Sequence, residues 1–288
     1  MLLDRTLRAR IERLSFTARR RVRARWAGRH PSYRKGESLD FADYREYTPG
    51  DDYRRIDHAL WARLGTPLVR EFEAEEELPL DVVVDLTQSM TFGQKAHTAR
   101  VLTGLVTYLA LSGGDRVRLH ALGGPDPAKW ATGPGGRHLS AWPRLETWLE
   151  TRPEGGTGLL EPPIRAFAAG PVRGSVVVVS DLLTDDWERA LDGLAGTGGG
   201  VVLHVLSPAE LSPDLAGDLE LVDSETGRTV AVSMSEQAAE TYRARVERFA
   251  VDAAARARRA GCDYVLVPAG PDAADATLAA LAAAEVIA

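Results

Sequence analysis

The chain has 288 residues and a net charge of −6, with 44% hydrophobic and 26% charged residues. These values are typical of an ordinary globular protein that is large enough to bury a substantial core. The single cysteine, Cys262, excludes an intramolecular disulfide and a cysteine-rich zinc site. No apolar run approaches the roughly 20 residues of a membrane-spanning helix, and the N-terminus lacks the apolar core of a secretory signal, so we expect a cytoplasmic protein.

Residues 1–36 form a basic arm, with twelve arginine and lysine residues against two acidic residues, a balance of +10. Leu3, Leu7, Ile11 and Leu14 recur at helical spacing, which predicts an amphipathic helix. Two interpretations remain open: a solvated helix, or an arm that binds nucleic acid or an anionic surface. Aromatic residues that could stack on bases are scattered in this arm, so nucleic acid is not the expected partner.

From residue 79 onward, short apolar strands alternate with helical patterns. Continuous β-branched runs indicate strands that are covered on both faces, as in a parallel sheet. Ser233 and Glu236 have the spacing of a capping box at the start of the longest helix. The predicted strands are 80–86, 115–122, 175–182, 201–206 and 263–268, and the predicted helices are 94–112, 139–151, 158–168, 184–194, 235–260 and 272–284.

The alternation predicts an α/β fold with a mostly parallel central sheet flanked by helices. A β-hairpin over residues 219–233 is inserted before the longest helix, and residues 123–138 form a loop rich in glycine and proline. Residues 37–78 resemble neither the arm nor the sheet. We therefore divide the chain into a helical arm (1–36), a segment that packs on the sheet (37–78) and an α/β domain (79–288).

Polar side chains follow two predicted strands where those strands end. Asp85, Thr87 and Ser89 follow the first strand, and Asp181 ends the strand "VVVVSD". Thr157 lies in the glycine-flanked loop "GGTG" before a helix. Because ligands of open α/β sheets bind beyond the carboxyl ends of the strands, these five side chains are a candidate site.

All five side chains offer oxygen, and the set contains neither histidine nor thiol. Hard oxygen ligands suit Mg²⁺, or alternatively Mn²⁺ or Ca²⁺, better than zinc. The alternative interpretation is that each residue merely caps a following helix, which is common for aspartate, serine and threonine at strand ends. The presence of all five residues, in this order along the chain, favours a metal site over separate helix caps.

The residues "DLTQS", the threonine of "GGTG" and the aspartate of "VVVVSD" resemble the metal-ion-dependent adhesion site of von Willebrand factor A domains. The resemblance implies a Rossmann-like fold of that type and a metal held by Asp85, Thr87, Ser89, Thr157 and Asp181. It also implies a partner protein that supplies a carboxylate to the metal. Thr87 departs from the usual serine of that family but keeps the hydroxyl.

The stretch "YTPGDDYRRIDHALWAR" (47–63) resembles the signature of a bacterial family known as domain of unknown function 58. The resemblance covers roughly residues 36–270, and His58 stands where that family usually has tryptophan. It implies a partnership with a MoxR-type AAA+ ATPase in complex maturation or stress responses. The signature residues, which we predict to be structural or partner-binding, are Tyr47, Pro49, Gly50, Asp51, Asp52, Arg54, Asp57 and Arg63, with Ile56 and Ala62 completing the match.

Two roles remain open for the signature. The turn sequence "PGDD" suits an N-capping acid, so we expect Asp51 or Asp52 to begin a short helix, which would make the segment architectural. The other role is a docking surface for the ATPase.

We therefore expect a non-enzymatic, metal-dependent adaptor that works with an AAA+ ATPase. An alternative is a phosphohydrolase of the haloacid dehalogenase type, in which Asp85 would be the nucleophile. The second acid of that motif would fall at Thr87, which cannot exchange a proton near neutral pH, and this argues against the alternative.

Overall fold

The structure is a computed structural model that describes residues 1–14, 41–48, 51, 53–72, 79–124, 128–133, 138–170, 174–213, 217–223 and 227–287. The chain divides into two compact units. The smaller unit spans Trp26–Glu77, and the larger unit combines Met1–Arg25 with Leu78–Ala288. The predicted packing of residues 37–78 on the sheet stays a prediction, and residues 15–36 of the basic arm lie outside the described residues.

The elements are numbered in chain order. The helices are α1 (Arg5–Ile11), α2 (His58–Leu64), α3 (Lys95–Ser112), α4 (Trp142–Glu150), α5 (Glu161–Ala168), α6 (Trp187–Gly193), α7 (Pro208–Leu211), α8 (Glu236–Arg259) and α9 (Ala273–Ala283). The strands are β1 (Phe41–Glu46), β2 (Leu68–Phe72), β3 (Pro79–Asp85), β4 (Arg116–Leu122), β5 (Ala128–Ala131), β6 (Ser175–Ser180), β7 (Gly200–Leu206), β8 (Gly217–Val222), β9 (Thr229–Met234) and β10 (Cys262–Pro268).

The larger unit is built on a six-stranded sheet with the order β10-β7-β6-β3-β4-β5. The pairs among β10, β7, β6, β3 and β4 are parallel, and β5 pairs antiparallel with β4 at one edge. The prediction of a mixed α/β fold with a mostly parallel, helix-flanked sheet is confirmed. Strand β5 was not predicted, because its short sequence "AKWA" lies within the loop rich in glycine and proline.

Helices cover both faces of this sheet, which explains the continuous apolar runs. All seven residues of β3 are buried. Val82 and Val84 join a core cluster with residues of α1, α3, α4 and α9, whereas Val83 joins a second cluster with residues of α5, α6 and α8. Because successive side chains of a strand point to opposite faces, both faces of β3 require apolar residues.

Two predicted helices, α8 and α1, can be compared with the structure. Helix α8 begins after Ser235, whose side chain accepts a hydrogen bond from the amide of Ala238, so the expected capping by Ser233 is wrong. Helix α1 confirms the helical pattern for the described part of the arm. Its Ile11 is buried in the core of the larger unit, and Arg8 bonds to Glu146 of α4 at 3.0 Å.

The predicted inserted hairpin is present as β8 and β9, which pair antiparallel in a two-stranded sheet of their own. Leu221 lies opposite Val230 and Val222 lies opposite Thr229. Residues 224–226 of its turn lie outside the described residues. In the part of the chain that the structure describes, no helix combines the length and apolar character needed to cross a membrane.

The strand order creates a crevice next to β3. The chain passes from β3 to β4 on one side, and it later returns to place β6 on the other side of β3. At such a reversal the connections leave the carboxyl ends of the two strands in opposite directions, which opens a crevice between them. Asp85 ends β3, and Asp181 directly follows β6, so both residues lie at this crevice.

The smaller unit contains the signature segment and a hairpin of β1 and β2. Asp57, not Asp51 or Asp52, caps the short helix α2: its carboxylate accepts hydrogen bonds from the amides of Ala59 and Leu60, both at 3.0 Å. Asp51 instead accepts two hydrogen bonds from the guanidinium of Arg45, both at 2.7 Å. The expected capping by the "DD" pair is therefore wrong for Asp51, and Asp52 lies outside the described residues.

Candidate functional site

The first part of the site is the turn that follows β3, and it is held by hydrogen bonds around Asp85. One carboxylate oxygen of Asp85 accepts bonds from the amide of Thr87 at 3.0 Å and from its hydroxyl at 2.6 Å. The other oxygen accepts a bond from the hydroxyl of Ser180 at 2.6 Å. The hydroxyl oxygens of Thr87 and Ser89 lie 3.3 Å apart. The spacing of these residues therefore brings one carboxylate and two hydroxyls together, as predicted.

The loop that contains Thr157 is attached to this turn through its backbone. The amide of Gly155 donates to the carbonyl of Leu86, and the amide of Gln88 donates to the carbonyl of Gly156, both at 2.9 Å. Thr157 is the next residue and is exposed. The structure thus brings the Thr157 loop beside the Asp85 turn.

The methyl group of Thr87 lies at the join between these two loops. A Cβ atom added at Gly158 would lie 3.2 Å from the Thr87 methyl carbon and 3.0 Å from Cβ of Leu122. The extra methyl group that distinguishes Thr87 from serine therefore packs into space that Gly158 leaves open. This contact explains how the departure from the adhesion-site pattern is accommodated.

The third part of the site is the turn that follows β6. One carboxylate oxygen of Asp181 accepts the amide of Leu183 at 3.0 Å, and the Ser180 hydroxyl accepts the amide of Leu182 at 2.9 Å. Leu182 adopts a φ of 58°, in the left-handed region that non-glycine residues rarely occupy. Because such backbone costs of order 1–3 kcal/mol, the side-chain hydrogen bonds to both amides are needed to stabilise the turn.

The other oxygen of Asp181 accepts a hydrogen bond from a buried lysine that the sequence analysis missed. The ammonium of Lys95 lies 2.8 Å from Asp181 Oδ2 and 2.5 Å from Glu210 Oε1, and the lysine side chain is 1% exposed. Glu210 is held in turn by a capping box with Ser207 at the start of α7. The S-x-x-E spacing of Ser207 and Glu210 is visible in the sequence and could have indicated this glutamate, whereas Lys95 gives no local signal.

Two buried carboxylates, those of Asp85 and Asp181, interact in the crevice. The pKa of Asp85 is raised above its ordinary value, first because burial penalises the charged form and second because the Asp181 carboxylate is close. Hydrogen bonds from Ser180 and Thr87 oppose this shift. A cation bound near Asp85 would relieve both unfavourable effects. Lys95 supplies one positive charge to Asp181 but makes no hydrogen bond to Asp85 among the bonds described.

His204 lies below this turn, on β7, and contacts it through the backbone. Its ring nitrogens lie 3.0 Å from the Asp181 carbonyl oxygen and 2.6 Å from the hydroxyl of Tyr264. Burial lowers the pKa of His204 to about 4, so the ring is neutral near pH 7. A neutral imidazole bonded on both nitrogens has a positioning role for the Asp181 turn.

The donor set fits a hard cation in part. The Thr87 hydroxyl donates its proton to Asp85, which leaves its oxygen lone pairs available, and the Ser89 hydroxyl lies beside it. Thr157 lies on the adjoining loop. Asp181 is less available, because Lys95 already compensates its charge. Among the residues that the structure describes, no group of three or more histidine, cysteine or acidic side chains is arranged to hold a metal, so a cation here depends on the hydroxyls as well.

Asp186 joins the Asp181 turn to the helix that follows the Thr157 loop. Its two carboxylate oxygens accept hydrogen bonds from the amide of Leu160 at 3.1 Å and the amide of Glu161 at 2.7 Å. Leu160 is the N-cap residue of α5 and Glu161 is its first residue, and amides at this end have no partner within the helix. Asp186 therefore fixes the start of α5 and, with it, the end of the Thr157 loop.

Replacing Asp186 by alanine is expected to lower the free energy of unfolding by about 1–2 kcal/mol, because two helix amides lose their acceptor. The measurement is urea unfolding followed by circular dichroism. The neighbouring Asp185 is exposed, so Asp185→Ala is a matched control that should change the free energy by less than about 0.5 kcal/mol. Equal losses in the two variants would contradict the capping role.

The predicted signature residues lie in the smaller unit and are mainly engaged in local structure. Asp51 accepts hydrogen bonds from Arg45 and from Thr48, and Asp57 caps α2 and accepts the hydroxyl of Tyr44 at 2.9 Å. Arg54 stacks over the ring of Tyr53, and Arg63 is exposed in the last turn of α2. Tyr47 donates its amide to the carbonyl of Pro67 at 2.9 Å. Pro49, Gly50 and Asp52 lie outside the described residues.

Solved structures with some likeness to the chain come from Bacteroides. The conserved hypothetical protein BatB of Bacteroides thetaiotaomicron matches 72% of this chain and 98% of its own, with 14% identity and a TM-score of 0.39. An aerotolerance-related membrane protein of Bacteroides fragilis matches 70% of this chain and 96% of its own, with 16% identity and a TM-score of 0.43. Likeness at this level assigns neither fold type nor function.

Sequence comparison gives a firmer result. Uncharacterized proteins of Mycobacterium bovis and Mycobacterium tuberculosis are 30% identical to this chain over 230 residues, which is 78% of this chain and 73% of theirs. The family model described as protein of unknown function DUF58 matches residues 43–255, which include both the signature segment and the candidate site. The chain therefore belongs to the DUF58 family.

Proposed function

We propose that the crevice between β3 and β6 binds a divalent cation, Mg²⁺ or alternatively Mn²⁺ or Ca²⁺, and through it a carboxylate of a partner protein. The observation that supports this most is the convergence of three loops at one sheet edge. Asp85, Thr87 and Ser89 lie on the first, Thr157 on the second and Asp181 on the third. Asp85, Thr87, Ser89 and Thr157 would hold the cation, while Asp181, paired with Lys95, would add negative charge.

The finer fold assignment belongs to the same proposal. The chain order of the candidate ligands and their oxygen chemistry are those of the adhesion site of von Willebrand factor A domains. The switch between β3 and β6 also suits that fold, because it opens the crevice at the carboxyl ends of the strands. We assign the larger unit to this type on these grounds.

A binding role accounts for the geometry better than a catalytic one. A nucleophilic carboxylate needs an oxygen that is free to attack, together with a nearby proton donor. Both oxygens of Asp85 accept hydrogen bonds from protein groups, and the position two residues later holds Thr87, whose hydroxyl is bonded to Asp85 itself. We therefore propose a non-enzymatic adaptor.

The proposed partner is a MoxR-type AAA+ ATPase, which the likeness of the signature segment implies. A carboxylate on that ATPase, or on a client that it processes, would complete the coordination of the cation. Such binding is reversible, because most cation ligands stay with one protein. A cytoplasmic site of action is part of this proposal.

Isothermal titration of the full chain with Mg²⁺ and Mn²⁺ tests the metal site. Asp85→Ala and Ser89→Ala are each expected to weaken metal affinity by at least about tenfold, because each removes an oxygen that contacts or orients the cation. Ser89→Ala removes one hydroxyl, so it guards against misfolding caused by loss of the buried Asp85. Asp192→Ala, at a side chain that is 56% exposed, is the matched control and should bind as the wild type does.

Two outcomes would contradict the proposal. Absence of metal binding by the folded wild-type protein would remove the metal site. Equal metal affinities in wild type, Asp85→Ala and Ser89→Ala would mean that the metal binds elsewhere on the protein. Repeating the titration with a MoxR-type ATPase tests the partner separately, since its binding should then require the metal and disappear with a chelator.

A further inference from the structure

The surface beside the candidate metal site contains an open groove of about 580 Å³. Ser89 and Leu183 line it from the crevice side, and Leu221, Val222 and Val230 line it from the β8–β9 hairpin. Its volume lies within the range of about 300–1,000 Å³ that is usual for ligand pockets. Ser89 therefore belongs both to the candidate metal site and to this hairpin groove, which makes the two sites continuous.

The apolar side chains of the hairpin groove are unusually exposed. Leu183 is 48% exposed, Val222 is 65% exposed and Val230 is 58% exposed. Single exposed apolar residues are normal, but a contiguous group that lines a concave surface indicates a binding site. A two-stranded hairpin on its own is also marginally stable, so its apolar residues are expected to gain a partner.

The hairpin is built to present these residues together. Leu221 and Val230 are directly opposite each other in the antiparallel pair, so their side chains share one face. The pair continues to Asp223 and Arg228, where the Asp223 amide donates to the Arg228 carbonyl at 2.8 Å. The groove is thus lined by four apolar residues together with Asp223, Arg228 and Ser89.

We propose that the hairpin groove is the specificity site of this protein, and that it binds a partner polypeptide segment in which an acidic residue is flanked by aliphatic residues. The acidic side chain would go to the cation at the crevice, and the aliphatic side chains would bury against Leu183, Leu221 and Val230. Charge complementarity fixes this order, because a bound cation at the crevice attracts an anion and the groove wall is apolar. This inference rests on the proposed metal site.

The test uses the full chain and a library of random peptides displayed on phage, selected with Mg²⁺ present. The recovered peptides should contain an aspartate or glutamate next to leucine, isoleucine or valine. A synthetic copy of the most frequent peptide should bind the wild type, and binding should disappear in Asp85→Ala. In the double variant Leu221→Thr/Val230→Thr, peptide affinity should fall by at least about tenfold while Mg²⁺ affinity stays unchanged.

Val251→Thr is the matched control, because Val251 is 59% exposed and does not line the groove. It should leave peptide affinity unchanged. Both hairpin positions are exposed, and threonine is β-branched and suits a strand, so the double variant should fold. Circular dichroism and the Mg²⁺ titration verify this.

Other results overturn the inference. Failure to recover any peptide, recovery of peptides without an acidic residue beside an aliphatic one, or wild-type affinity in the hairpin variant would each do so. Binding to phosphatidylglycerol vesicles that is lost in the hairpin variant would assign the surface to a membrane instead. Any of these results with normal Mg²⁺ binding leaves the metal site intact, whereas loss of Mg²⁺ binding in the wild type itself contradicts the proposed function.

Discussion

Replacement of Lys95 by methionine is expected to lower the free energy of unfolding by about 3–5 kcal/mol. Methionine keeps much of the length of lysine and removes its charge. The carboxylates of Asp181 and Glu210 then lose the ammonium to which both are bonded, and Asp181 is fully buried. A buried charge without a counter-charge is one of the most destabilising arrangements in a protein interior.

Urea unfolding measures this loss, and a second variant separates charge from packing. Lys95→Met/Asp181→Asn removes both charges of the Lys95–Asp181 pair. Its loss of unfolding free energy should be about 1–3 kcal/mol smaller than the sum of the losses in the two single variants. Arg256→Met is the control for an ion pair that is more exposed than the Lys95 pair. Arg256 contacts Asp192, which is 56% exposed, so losing this contact should lower the free energy of unfolding by less than about 1 kcal/mol. A Lys95→Met effect no larger than that of Arg256→Met would show that the buried lysine is not required.

Replacement of Gly123 by alanine is expected to lower the free energy of unfolding by about 3 kcal/mol or more and to weaken the proposed metal binding. Gly123 directly follows β4 and has a φ of 91°. A Cβ atom there would lie 2.3 Å from the carbonyl oxygen of Leu86 and 2.8 Å from the amide nitrogen of Thr87. These backbone atoms would have to move, and Thr87 would move with them.

A control variant separates the strain of a positive φ from the steric clash that a side chain causes at Gly123. Gly114 also has a positive φ, at 80°, but a Cβ atom there would meet nothing within 4 Å. Gly114→Ala should therefore cost about 1–2 kcal/mol from conformation alone and should leave Mg²⁺ affinity unchanged. Urea unfolding and isothermal titration on both variants give the comparison. Equal effects at the two positions would mean that the close approach of Gly123 to the Asp85 turn is unimportant.

Parts of the site that depend on short-range spacing could be predicted from the sequence. Asp85, Thr87 and Ser89 follow a strand within a few residues, and the β-branched run before them identifies that strand. Lys95 could not be predicted in the same way, because its partners Asp181 and Glu210 lie 86 and 115 residues further along the chain. No local pattern distinguishes this lysine from a solvent-exposed lysine at a helix start.

The error at the start of α2 has a physical cause. Asp51 and Asp52 are the caps expected from the sequence, but Asp57 carries the same carboxylate and could satisfy free helix amides equally well. The short 3₁₀ turn over Tyr53–Arg55 intervenes, and Ile56 forms a bridge with Val69 of β2. Asp57 directly follows the bridged Ile56 and accepts the amides of Ala59 and Leu60. The bridge joins residues that are far apart in the chain, so the local sequence alone does not distinguish Asp57 from the other aspartates.

The position of the crevice between β3 and β6 determines when the crevice can be completed during synthesis of the chain. Asp85 and Ser180, which are hydrogen-bonded across the crevice, are separated by 95 residues. During synthesis the first of them leaves the ribosome long before the second, and contacts of such sequence separation form late in folding. A nascent or truncated chain that ends before β6 therefore lacks the complete crevice. The proposed recruitment of partners would therefore be confined to chains whose synthesis has passed β6.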